Sequence, residues 1–103
     1  MCDLIFQRKQ QRYRHLAALY RFTEGDNGQW VNLKQLCQKE GVSFDEAAYE
    51  YLVNEGLITL YVAGYTCFLS HNGVKAIEEA WEQPNRPSTY FPALNDMKPE
   101  NGS

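Results

Sequence analysis

The sequence predicts one small α+β domain, mostly helical, in the order helix, short strand, helix-turn-helix, β-hairpin and closing helix. Three observations carry this reading. Apolar residues recur at helical spacing in four stretches. The pattern of a capping side chain with Gln or Glu three residues on occurs at Asn32/Gln35 and again at Ser43/Glu46, with Gly41 between the two. From Leu57 to Leu69 the composition switches to β-branched and aromatic residues around Ala63-Gly64. The chain has 103 residues, too few for a second folded unit. A body of this size buries only roughly 60–65% of its unfolded surface, so a deep catalytic cleft is not expected.

The first helix is read from Leu4 to about Phe22, uninterrupted by Gly or Pro, with Ile5, Phe6, Tyr13, Leu16, Ala17 and Tyr20 on one arc at ~100° per residue. Glu24-Gly25-Asp26-Asn27-Gly28 collects turn formers and ends it. Gln29-Trp30-Val31 then reads as a short strand. Asn32 caps a second helix from Leu33 to Glu40 that buries Leu33, Leu36 and Cys37, and Gly41 stops it. Ser43 caps a third helix in which Phe44, Ala47, Ala48, Tyr51 and Leu52 form the inward stripe, with Gly56 as its exit.

Leu57–Val62 and Tyr65–Leu69 are the arms of a hairpin with Ala63-Gly64 as a two-residue turn. Ser70 caps a fourth helix with Val74, Ile77 and Trp81 inward and Lys75, Glu78, Glu79 and Glu82 in water. All four prolines, Pro84, Pro87, Pro92 and Pro99, follow it among polar residues. Residues 84–103 are therefore expected to form an extended or disordered tail behind a domain at 1–83. Within it, Tyr90-Phe91-Pro92 is the one point expected to dock, on the domain or on a partner.

The element order, and above all Gly56-Leu57-Ile58, the hairpin, and Phe68-Leu69-Ser70-His71-Asn72-Gly73, resembles the winged-helix family over residues 5–83. Many winged-helix regulators carry a similar glycine-ended recognition helix, then a wing, then a Leu-Thr-x-x-Gly step; here Ser70 stands in place of the Thr. Residues Pro84–Pro92 look like the linker seen behind such domains in bacterial proteins. The resemblance implies a third helix placed to enter a DNA major groove, with the hairpin tip beside it.

The charges oppose DNA binding there. With the apolar stripe inward, the third helix presents Asp45, Glu46, Tyr49, Glu50 and Val53, with three carboxylates and no cation. The hairpin from Leu57 to Leu69 holds no Lys, Arg or His. Phosphates repel carboxylates, so this surface is a poor reader of a polyanion. The basic residues gather instead in residues 1–39, which carry net +4 against −7 for the rest, giving −3 in all. Arg8 and Arg12 flank one edge of the first helix's stripe, and Arg14 and Arg21 the other. These four arginines either contact phosphate, as a double-stranded DNA regulator would need, or pair with the acidic half within the molecule or across a dimer.

Tyr49, Val53, Tyr61 and Tyr65 add apolar and aromatic area to the surface expected to protrude, the composition of a protein interface, with core packing as the alternative for each. The expected function is therefore a non-enzymatic binding module for a protein or a second copy of itself. A DNA-binding transcriptional regulator is the alternative. No cofactor or metal is expected: Cys67 and His71 lack a second ligand pair, and Glu78, Glu79 and Glu82 lie on a solvated helix face. His15 is read as exposed or capping, and Cys37 and Cys67 as small buried hydrophobes. Cys2, Cys37 and Cys67 form no disulfide pattern. With no apolar leader and no run of ~20 apolar residues, a cytoplasmic protein off the membrane is expected.

Overall fold

The computed structural model describes residues 2–26, 28–61 and 64–97. Its elements are α1 (Cys2–Thr23), β1 (Val31–Asn32), α2 (Leu33–Glu40), α3 (Glu46–Asn54), β2 (Ile58–Leu60), β3 (Thr66–Leu69), α4 (His71–Glu82) and a 3-10 turn at Leu94–Asp96. The strands form one antiparallel sheet in the order β1-β3-β2, with Val31 and Leu60 both opposite Cys67.

The middle of α1 is the centre of the molecule. His15, Leu16, Ala17, Ala18 and Leu19 are all buried, so this helix is covered on every side rather than along a single stripe. The paired alanines, Ala17 and Ala18, leave room for neighbouring elements to approach closely. The expected single arc fails at its start, where Ile5 is exposed.

Local signals set the helix starts. Asn32 Oδ1 accepts the Gln35 N–H at 3.0 Å and caps α2, and Gly41 at φ +75° closes it, as its sequence implies. Leu33, Leu36 and Cys37 are buried as expected. Ser70 caps α4: its Oγ accepts the Gly73 N–H at 3.0 Å and donates to the Gly56 carbonyl. Gly73 is required there, because a Cβ at that position would sit 2.0 Å from the Leu57 carbonyl oxygen. The close approach seats α4 on the small residues Gly73, Ala76 and Ala80, buried beside Ile77 of the expected stripe, while the stripe's Val74 is half-buried and its Trp81 exposed.

The start of α3 corrects the reading of Ser43 as its cap. Asp45 holds that position in extended backbone, its carboxylate accepting from Ala47 and Ala48 N–H. Phe44 is drawn out of the helix to pack edge-on against Tyr65, with ring centroids 4.9 Å apart. The inward side of α3 is then Ala48, Tyr49 and Leu52, turned toward the hairpin relative to the expected stripe, and Ala47 is exposed.

The segment after α4 is more ordered than the extended or disordered tail expected around its docking point. Residues 88–97 fold back onto the body: Phe91 is fully buried, Ala93 nearly so, and Tyr13 meets Phe91 edge-on at 5.5 Å. Ser88 holds the bend by accepting the Phe91 N–H at 3.1 Å. Phe91 thus docks on the domain, one of the two outcomes expected for Tyr90-Phe91-Pro92, and the residues around it are packed rather than extended. Pro99 and its neighbours from residue 98 on lie outside the described residues.

Candidate interaction surface

The residues expected to form one protruding surface separate into two groups. Tyr49 is 6% exposed and points inward, its hydroxyl donating to the Gly64 carbonyl at 3.3 Å. Its phenol lies above the usual tyrosine range, mainly through burial, then through Cys67 and Tyr65 beside it. Val53 is half-buried against the core. Asp45 is occupied as the α3 cap. The expected exposure of Tyr49 is therefore corrected, because its ring is part of the core, while Val53 and Asp45 are half-buried and Asp45 is engaged as the helix cap.

Glu46 and Glu50 remain exposed on α3. Tyr65 is half-buried and donates to Glu46 Oε2 at 3.3 Å. Negative charge on Glu46 is the main reason its phenol is pushed up, with burial and Glu50 adding to it. Lys34 Nζ lies 5.6 Å from the centre of the same ring. Tyr65 thus joins the acidic edge of α3 to the hairpin.

Tyr61 is the one expected aromatic that stands clear, at 46% exposure. It stacks on Trp30, with ring centroids 3.7 Å apart and planes 26° from parallel. Strand parity explains the meeting. Val31 faces Cys67 on the buried side of the sheet, so Trp30 before it and Tyr61 after Leu60 turn to the other side. Trp30 is 56% exposed and also lines a shallow groove with Phe22, Gln35, Leu36 and Lys39. Neither Trp30 nor Phe22 is among the contact residues expected from the sequence. The alternation through Trp30-Val31 is the available signal for the first, whereas Phe22, near the end of α1, meets the groove only in the folded chain.

The four arginines do not form one face. Arg8 and Arg12 line a cleft with Asp45, Ala47 and Ala48. The Arg12 guanidinium lies over the Tyr51 ring, 3.6 Å from its centre. By helical spacing Arg14 and Arg21 sit on the far edge of α1. Arg21 Nε is 4.0 Å from Glu40 Oε1. His15, read as exposed or capping, is fully buried: its Nε2 accepts the Asp45 N–H at 2.9 Å, and its Nδ1 lies 2.8 Å from the Gln11 carbonyl.

Chemistry elsewhere is sparse. Cys37 and Cys67 are buried, and burial, followed by the effect of Cys37, raises the Cys67 thiol to about 12. At neutral pH this sulfur is protonated and a poor nucleophile. No group of three or more His, Cys, Asp or Glu side chains that could hold a metal occurs among the described residues. None of the described helices is long and apolar enough to cross a membrane. Comparison of the chain with protein-family models, curated proteins and solved structures found no match.

Proposed function

We propose that this chain is a non-enzymatic binding module of the winged-helix type whose partner is a protein, engaged through the Trp30–Tyr61 side of the sheet. The helix pair α2–α3, the hairpin that follows and the strand order β1-β3-β2 support the winged-helix part of the reading. The observation that carries the protein partner is the exposed Trp30–Tyr61 stack. Two large rings held flat against each other lose little side-chain freedom on binding, and both types are enriched at the centres of protein interfaces. The groove beside them offers Phe22 and Leu36 as apolar floor and Lys39 as a charged rim.

Glu46 and Glu50 argue against duplex DNA at α3, since each would bring a carboxylate toward phosphate. The test is to use the full chain and its Trp30→Ser/Tyr61→Ser variant as baits, with anisotropy on random duplex DNA alongside. The expected result is a protein retained by the wild type and released from the variant, at an unchanged melting temperature, with no salt-sensitive duplex complex. Duplex binding that weakens steeply with salt, and that is lost when Arg8, Arg12, Arg14 and Arg21 become Gln, would establish the regulator instead.

A further inference from the structure

One arc of α1 changes character along its length. Its carboxyl-terminal half carries His15, Leu16 and Leu19, all buried, with His15 bonded to the cap of α3. At helical spacing the same arc, about 120° wide, continues through Arg12 and Arg8 to Ile5 and Leu4. Arg12 and Arg8 still border α3, one over Tyr51 and both beside Ala47. Beyond them Leu4 and Ile5 are 55% and 61% exposed. A stripe that packs on a neighbour for half its length and then runs on bare is an apolar surface whose intramolecular partner has ended.

The surface beside it supplies the complement. The outer side of α3 presents Ala47, Glu50 and Asn54, with Glu46 at its edge, all exposed. Ala47 is small enough to let another helix approach, and the two carboxylates flank it. One copy therefore offers a strip of two aliphatic residues followed by a cation, and directly alongside a strip of small and acidic residues. Such a surface is complementary to itself under a two-fold rotation, which turns each strip onto the other. Its charges also match in number: Arg8 and Arg12 on one side, Glu46 and Glu50 on the other.

We propose that the chain forms a two-fold dimer in which Leu4, Ile5 and Arg8 of each copy lie on the outer side of α3 of the other, with Arg8 facing Glu50. This surface runs across the outer side of α3, from α1 to the edge where Glu46 meets Tyr65, and contains neither ring of the Trp30–Tyr61 stack. The dimer stands or falls independently of the reading of that stack.

Charge reversal on the full chain tests it, followed by sedimentation equilibrium at low and high salt. The wild type is expected to dimerise, and to do so less at high salt. Arg8→Glu and Glu50→Lys should each weaken association by about tenfold or more. The double variant Arg8→Glu/Glu50→Lys should recover most of that loss, because the pair is restored with its signs exchanged. Leu4→Ser/Ile5→Ser should weaken the dimer at any salt. All of these positions are exposed, so melting of the monomeric fold serves as the control. A wild type that stays monomeric at ~100 µM in low salt would overturn the proposal. So would a double variant as weak as the two single ones.

Discussion

The imidazole of His15 ties two distant parts of the chain together: its Nε2 accepts the backbone N–H of Asp45 at 2.9 Å, thirty residues away. With Nδ1 2.8 Å from the Gln11 carbonyl, which can only accept, the proton sits on Nδ1 and Nε2 is left bare for Asp45. This bond occupies the N–H of the residue that caps α3 and so helps to fix where that helix begins. His15→Phe fills similar space but leaves the Asp45 N–H without its acceptor. The expected loss is about 1–3 kcal/mol in urea unfolding with an unchanged m-value. A loss below about 0.5 kcal/mol would show that the bond has no structural weight.

Gly73 tests the contact between α4 and the start of β2. In an open helix Ala is better than Gly by about 1 kcal/mol. Here the added methyl would meet the Leu57 carbonyl oxygen at 2.0 Å and Leu69 Cδ1 at 2.9 Å, and the carbonyl belongs to rigid backbone. The clash outweighs the propensity, so Gly73→Ala is expected to destabilise by about 2 kcal/mol or more. A thermal melt equal to or above that of the wild type would contradict the close approach.

Alkaline pH should weaken the fold. Tyr49 is raised mainly by burial, Tyr20 mainly by its bond to Glu78, Tyr65 mainly by the charge on Glu46, and Cys67 by burial to about 12. In each case the folded chain holds the proton more tightly than the unfolded chain. The stability linked to these groups is therefore intact below the ordinary thiol value of about 9 and tyrosine value of about 10, and is lost as pH rises through the folded values. Urea midpoints measured between about pH 8 and 11 should fall toward the upper end, with tyrosinate absorption appearing later in the folded chain than in urea. A flat profile would refute the shifts.

Features decided by neighbours in sequence were legible beforehand. The caps at Asn32 and Ser70 and the inward Leu33, Leu36 and Cys37 depend on residues within a few positions of one another, and the hairpin arms on partners no more than eleven residues apart. The start of α3 is ambiguous in sequence because Ser43 and Asp45 are both good caps, and the choice falls to contacts of Phe44 with Tyr65 and of Asp45 with His15. The inward turn of Tyr49 is hidden for the same reason: its acceptor, the Gly64 carbonyl, lies fifteen residues on, in the hairpin. Of the candidate surface, Tyr61 was readable and its stacking partner was not, since Trp30 reaches it only after β1 has paired with β3.

The seat of Phe91 against Tyr13 bears on the order in which the molecule can be completed. Synthesis delivers the central helix first and the aromatic plug that seals its flank some seventy residues later. Until that plug is made, the nascent body carries a phenylalanine-sized vacancy beside Tyr13, so its last gain in cohesion arrives only when residue 91 and its neighbours have cleared the ribosome.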